Sequence, residues 1–174
     1  GPAPRAPRDI FRPMMNRLRV REAVKTDEPA LWARLAPVFR AGDTYAIDSA
    51  ISRADALNYW LSERVYVAED TRALGTFYIR KNQKGGGAHV CNCGYITARG
   101  AEGKGVARAM LAFSLKEAKA LGFEAMQYNF VLASNTRAVA TWERAGFDLI
   151  GRQPKAFLAP DGTYTDALIF HRFL

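Results

Sequence analysis

Thr97-Ala98-Arg99-Gly100-Ala101-Glu102-Gly103-Lys104-Gly105-Val106-Ala107-Arg108 joins a run of strand-forming residues to a long amphipathic helix through a glycine-rich bend. Glycine at 103 and 105 lets the main chain approach an anion closely. The unpaired N–H groups and the dipole of the following helix favour negative charge at the same point. The bend therefore predicts a phosphate-bearing ligand. Lys104 is followed by Gly105 rather than by the Ser or Thr that would hold magnesium, so this is not a Walker loop. A dinucleotide fingerprint read from Gly103 would need Gly or Ala where Arg108 stands. Taken alone, the bend is equally a glycine turn that only starts a helix, and other residues must decide.

Outward from the bend, apolar Ala107, Met110, Leu111, Leu115 and Ala118 recur at helical spacing over residues 105–121, with Arg108, Lys116 and Lys119 toward water. Residues 89–97 read as the strand before it, and residues 65–69 and 73–80 as a β-hairpin upstream, with Gly85-Gly86-Gly87 breaking the chain between. Further upstream, Leu18, Val20 and Ala23 mark a first strand. Thr26 or Asp27 caps a helix with Pro29 in its first turn, and Ser52-x-x-Asp55 opens a second helix. Downstream come a strand over 124–131, a helix over 135–145 ended by Gly146, and two strands over 147–153 and 163–170 joined by Asp161-Gly162. The order β-α-α-β-β-β-α-β-α-β-β argues for an α+β fold around a mixed sheet.

The chain has 174 residues, 49% hydrophobic and 11% aromatic, which suits one globular domain with a sizeable core. Residues 1–15, with Pro2, Pro4, Pro7 and Pro13 among arginines, read as an extended arm or a cloning remnant, and residues 16–174 as the domain. No apolar run reaches the roughly 20 residues of a membrane helix and no signal peptide is evident, so the expectation is a cytoplasmic protein without membrane contact. The two cysteines, Cys91 and Cys93, would share one face of a strand as small buried residues. With only His89 and His171 to help them, no metal site is expected. A net charge of +8 favours polyanionic ligands. The basic residues are dispersed, apart from a group near the N-terminus, and no nucleic-acid signature accompanies them, so nucleic acid is not the expected partner.

The bend and a second segment, Asn135-x-x-Ala138-x-x-x-Trp142-Glu143-Arg144-x-Gly146-Phe147, together resemble the paired motifs of the GNAT superfamily of acyl-CoA-dependent N-acyltransferases. The resemblance covers roughly residues 17–174. The segments 89–95, 127–130 and 163–168 are similar to a bacterial and fungal subgroup that includes L-azetidine-2-carboxylate acetyltransferases.

The resemblance implies a GNAT-like central mixed, mostly antiparallel twisted sheet of about seven strands, helices on both faces and two central strands splayed apart. It implies acetyl-CoA as cosubstrate, without metal. Tyr95, Ile96 and Thr97 would lie beside pantetheine, the amides of Gly103, Lys104, Gly105, Val106, Ala107 and Arg108 around the pyrophosphate, and Asn135 and Trp142 along the same ligand. Asn92 and Asn129, on the two splaying strands, would orient the acceptor, and Tyr45, in the loop after the first helix, would wall its pocket. A backbone amide near Ile96 would stabilise the oxyanion, and Asp43, Tyr45, Tyr95 and Tyr128 are the candidate acids or bases.

Two positions depart from the family pattern. Glu102 replaces Gln or Arg, and is expected to turn to solvent or to pair with Arg99 or a lysine. Trp142 stands where a tyrosine often protonates the departing thiolate. Indole offers an N–H donor but no usable acid, and the position equally suits a core aromatic beside the pantetheine tunnel. The reading is direct acetyl transfer to the amine of a small molecule, an amino acid or analogue. The alternatives are a peptide or protein amine as acceptor, a non-catalytic acyl-CoA-binding module, and a basic nucleic-acid binder. Oligomeric state stays open, a homodimer included.

Overall fold

The computed structural model describes residues 18–174, and the arm expected at residues 1–15 lies outside them. The elements follow in the expected order: β1 (Arg19–Glu22), α1 (Glu28–Ala41), α2 (Arg53–Trp60), β2 (Arg64–Glu69), β3 (Ala73–Lys81), β4 (Val90–Thr97), α3 (Val106–Ala120), β5 (Ala125–Leu132), α4 (Thr136–Arg144), β6 (Asp148–Leu158) and β7 (Tyr164–Phe173). They build one seven-stranded sheet in the order β1-β2-β3-β4-β5-β7-β6. Every neighbouring pair is antiparallel except β4 and β5, which run parallel because α3 carries the chain back between them.

Helices cover both faces. Leu31, Leu35 and Phe39 of α1 and Ala56, Leu57 and Trp60 of α2 pack on Val65, Val67, Tyr78 and Ile96. On the other face Val106, Met110, Leu111 and Ala118 of α3 pack on Tyr66, Phe77, Cys93 and Tyr128. Alternate residues of one strand thus enter different cores, which is why β2 and β3 read as nearly unbroken apolar runs. Cys91 and Cys93 are free and buried on the α3 side. Burial pushes the Cys93 thiol up, away from the thiolate a nucleophile needs.

Three local expectations are corrected. The buried stripe of α3 begins at Val106, and Ala107 is exposed. Asp27 stands at the N-cap of α1 but does not cap it. Its carboxylate takes Arg21 Nη1 and Nη2 at 2.8 Å each and the Val24 N–H at 2.7 Å, tying β1 to the helix entry. Strand β6 continues past Pro154 to Leu158, because Lys155 adopts φ 47° in a bulge that Asp166 of β7 secures through the Lys155 N–H and the Arg152 guanidinium. Among the described residues, no helix is long and apolar enough to cross a membrane.

Candidate active site

Strands β4 and β5 pair only through Val90–Ala125, Cys91–Met126 and Asn92–Gln127, and then part. Each keeps its antiparallel neighbour instead. β4 stays on β3 as far as Thr97, and β5 follows β7 through an irregularity between Tyr128 and Val131. A cleft of about 450 Å³ opens between them. The direction of the freed backbone groups is fixed by bonds at the ends of β4. Asn82 N–H reaches Val90 O, Ala98 N–H reaches Leu74 O, and on the opposite edge Glu124 N–H reaches His89 O. Even-numbered residues of β4 therefore turn N–H and C=O toward β3, and Tyr95 and Thr97 turn theirs into the gap. The amides facing the cleft are those on either side of Ile96, whose own N–H is committed to the sheet.

At the far end of β4 the bend holds Gly103 and Gly105 at φ 77° each, a backbone that L side chains rarely adopt. Gly105 is the N-cap of α3 and its carbonyl accepts the Ala109 N–H, so the amides of Val106, Ala107 and Arg108 form the unpaired first turn of the helix. Gly103, Lys104, Ala107 and Arg108 are exposed and the Val106 side chain is buried, which anchors the turn while its amides stay accessible. Glu102 folds back, its Oε2 accepting the Gly100 N–H at 2.7 Å, rather than pairing with Arg99 or a lysine. Arg99 reaches instead to the Pro37 carbonyl of α1 at 3.3 Å. Unpaired amides at a helix start can accept an anion, and the Glu102 carboxylate beside them is held by the loop itself.

Tyr45 lies in the cleft wall, its ring edge-on to Phe39 and Trp60, and its hydroxyl donates to the freed Tyr95 carbonyl at 2.9 Å. Tyr95 and Tyr128 turn their hydroxyls to the α3 side, where Tyr95 meets Ser114 Oγ at 2.6 Å and Tyr128 Oη at 3.0 Å. Ser114 donates its only proton to the Leu111 carbonyl at 2.8 Å, so Tyr95 must donate to Ser114, and Tyr128 to Tyr95. All three protons point inward. Burial raises the pKa of Tyr45, Tyr95 and Tyr128 well above the ordinary phenol value, and none has a proton free for the cleft. Ser114, buried on a helix face, is the residue that decides this direction, and only its polarity at a core position signals it in the sequence.

Trp142 of α4 is half-buried in the cleft wall, 5.5 Å from the Tyr95 ring and 4.6 Å from the Tyr128 ring. Asn135 caps α4, its Oδ1 accepting the Ala138 N–H at 3.2 Å, and also lines the cleft. Where the strands divide, Asn92 Nδ2 donates to the Gln127 carbonyl at 3.0 Å, and Asn92 Oδ1 accepts the Tyr78 hydroxyl at 3.3 Å. Asn129 is exposed at the cleft rim. Its Oδ1 accepts from Gln127 Nε2 at 2.9 Å, and its Nδ2 donates to Asn82 Oδ1 at 2.6 Å. Asp43 is exposed and does not line the cleft, so it is removed from the candidate bases. Tyr78 is a wall residue that sequence reading missed. It lies over Gly94, where a Cβ would come within 2.6 Å of its ring.

The Acetyltransferase (GNAT) family model matches residues 22–147. A solved structure of a GCN5-related N-acetyltransferase from Kribbella flavida is 35% identical and superposes with a TM-score of 0.86, covering 91% of this chain and 98% of that one. A phosphinothricin acetyltransferase from Sinorhizobium meliloti, solved in complex with acetyl-CoA, shares the fold at 20% identity, with a TM-score of 0.80 over 91% of this chain and 89% of its own. The N-acetyltransferase aca1 of Schizosaccharomyces pombe is 29% identical over 129 residues, which are 63% of this chain and 62% of that protein's length. The forked sheet, the amide cradle at the start of α3 and the span of the family match lead to one conclusion: the chain belongs to the GNAT family of acetyltransferases.

Proposed function

We propose that the protein transfers an acetyl group from acetyl-CoA to the amine of a small molecule, an amino acid or close analogue, in a ternary complex. The observation that carries this reading is the fork. It offers free N–H groups of Tyr95 and Thr97 beside a cleft of about 450 Å³, and the helix-start amides follow the Thr97 end of β4. Acetyl-CoA supplies the activated thioester. Amides 103–108 with Lys104 and Arg108 suit its diphosphate, and the Tyr95–Thr97 edge with Asn135 and Trp142 suits the pantetheine arm. Tyr95 and Thr97 N–H donate to charge developing on the acyl oxygen, while Asn92, Asn129 and Tyr45 orient the acceptor. A C–N bond forms and the C–S bond breaks. The proton lost by the amine is the one the thiol gains, carried by water. The similarity of segments 89–95 and 127–130 to azetidine-carboxylate acetyltransferases supports a small acceptor, and a cleft of this volume suits one better than a peptide.

Titration tests the direct-transfer part. Among the described residues no Asp, Glu, His, Lys or Arg lines the cleft, and burial raises the Tyr45, Tyr78, Tyr95 and Tyr128 hydroxyls and the Cys93 thiol above their ordinary ranges, so none of these groups takes a charge there between about pH 6 and 9. We expect kcat/KM to rise with pH in proportion to the free amine and to level at the acceptor's own pKa, moving with the acceptor. A fixed break near pH 6–7, whatever the acceptor, would reveal a base elsewhere. The reading as a whole is tested by thermal stabilisation with acetyl-CoA and by thiol release across an amine panel. Binding without release from any amine indicates an acyl-CoA-binding module.

Asn129→Ala should lower turnover about tenfold or more and change acetyl-CoA affinity less than about threefold, since it breaks the Gln127–Asn129–Asn82 amide chain at the acceptor rim. Steady-state kinetics with the working acceptor check this, and unchanged turnover rejects the role.

A further inference from the structure

We propose that the Tyr128 ring is the stop that limits the acyl donor to two or three carbons, an inference that rests on the acetyl-transfer reading above. Tyr128 is the first residue of β5 past the last rung shared with β4, Asn92–Gln127, and it lines the cleft where the fork opens. Its side chain packs on the α3 face and the residue is 4% exposed. Phe147 stacks on the ring at 4.5 Å between centres, Trp142 lies at 4.6 Å, and Tyr95 meets it edge-on at 5.9 Å. The hydroxyl begins a chain through Tyr95 and Ser114 to the Leu111 carbonyl, with bonds of 3.0, 2.6 and 2.8 Å. The two strands that part in their backbones are thus joined again by side chains, and the joint forms a floor under the fork on the α3 side.

In direct transfer the reacting carbonyl carbon has four neighbours, and three directions are already taken. Its oxygen turns to the Tyr95 and Thr97 amides of β4, and its sulfur leads back toward the amides at the start of α3. The amine enters from the α1/α2 face, which Tyr45 walls and which Asn92 shares with Ile96 on alternate positions of β4. The carbon chain is left with the side toward β5 and α3, where the Tyr128 ring stands. The C–N bond forms, the C–S bond breaks and the proton lost by the amine ends on the thiol, so no further reactant is needed. A methyl group lies against such a ring without overlap. Further methylenes overlap it, and a ring held by stacking and by its hydroxyl yields only with strain. One methylene in a closed pocket is worth about tenfold to two-hundredfold in selectivity, so discrimination should grow from propionyl to butyryl.

The test compares acetyl-, propionyl-, butyryl- and hexanoyl-CoA, by titration calorimetry for affinity and by thiol release with one working amine for turnover. The wild-type protein should favour acetyl-CoA over butyryl-CoA by about fiftyfold or more in kcat/KM. Tyr128→Ala should raise the butyryl-to-acetyl ratio by about tenfold or more and move the affinity ratio in the same direction, whatever it costs the acetyl reaction. Tyr128→Leu should do so by less, and it carries the test if Tyr128→Ala does not fold. Tyr128→Phe keeps the ring and drops the hydroxyl, so the ratio should stay within about threefold. The ratio separates selection from a structural role, because a loosened core would slow every donor alike. The inference is overturned if the wild-type protein takes butyryl-CoA as well as acetyl-CoA, or if neither smaller side chain moves the ratio. It is also overturned if Tyr128→Phe moves the ratio as far as Tyr128→Ala, which would assign selection to the hydroxyl chain. Thiol release from all donors alike sinks this inference alone. No release from any donor with any amine sinks the acetyl-transfer reading together with it.

Discussion

Gly103→Val is expected to weaken acetyl-CoA binding by about tenfold to a hundredfold, the loss of one charge-assisted amide bond at roughly 1.5–3 kcal/mol. The cause is not a clash within the protein, since a Cβ at Gly103 meets nothing within 4 Å. It is the φ of 77°, at which a β-branched residue is strained by about 1–2 kcal/mol. The bend relieves that strain by rotating the peptide units whose N–H groups form the cradle. The new side chain also occupies the open space where an anion would sit. Gly100→Val is the matched control. Gly100 has φ 84° and equally open surroundings, but its N–H is already taken by Glu102. Both variants should lose similar thermal stability, and only Gly103→Val should lose acetyl-CoA by titration calorimetry. Equal losses of affinity would show that the bend as a whole, and not the amides from 103 onward, governs binding.

What could be read from residues alone was whatever depends on near neighbours. The helical stripe of α3, the Ser52 cap with its Oγ accepting the Asp55 N–H, and the Asp161-Gly162 turn are set within a few residues of chain. The fork was not legible from periodicity. β4 and β5 look like ordinary strands, and their divergence follows from β5 keeping step with β7 across an irregularity at 128–131, a partner about 40 residues away along the chain. That expectation came from resemblance. Hydrogen-bond direction was likewise hidden. Tyr95 and Tyr128 were candidate acids by type, and their inward orientation depends on Ser114, brought in by a different element. Asp27 shows the same limit, a cap by position but captured by Arg21 across the β1–α1 corner. Glu102 is the exception that local reasoning could have reached, since its partner Gly100 lies two residues back.

Gly94→Val should abolish acceptor turnover almost completely while leaving acetyl-CoA affinity within about threefold, because it acts at the opposite end of the cleft from the cradle. A Cβ at Gly94 would lie 2.6 Å from Tyr78 Cε1 and 2.7 Å from both Cζ and the hydroxyl oxygen. The Tyr78 ring cannot retreat. Arg80 lies on its face at 3.5 Å, and the Trp60 ring, 5.0 Å away, is itself fixed by a bond from Nε1 to Thr76 Oγ1 at 3.0 Å. The cleft borders the ring, so the ring swings into the acceptor's space and breaks its bond to Asn92. Overpacking of this kind costs about 1–3 kcal/mol of stability, and a misplaced acceptor a hundredfold or more in rate. Melting curves, acetyl-CoA titration and acceptor kinetics measure the three consequences separately. Adding Tyr78→Ala to Gly94→Val removes the atoms in conflict, so stability should return while acceptor turnover stays low for want of the wall residue. If the double variant melts no higher than Gly94→Val alone, the clash is not the cause. If acetyl-CoA affinity falls along with turnover, the two ends of the cleft are mechanically one site, and the division between cradle and acceptor pocket fails.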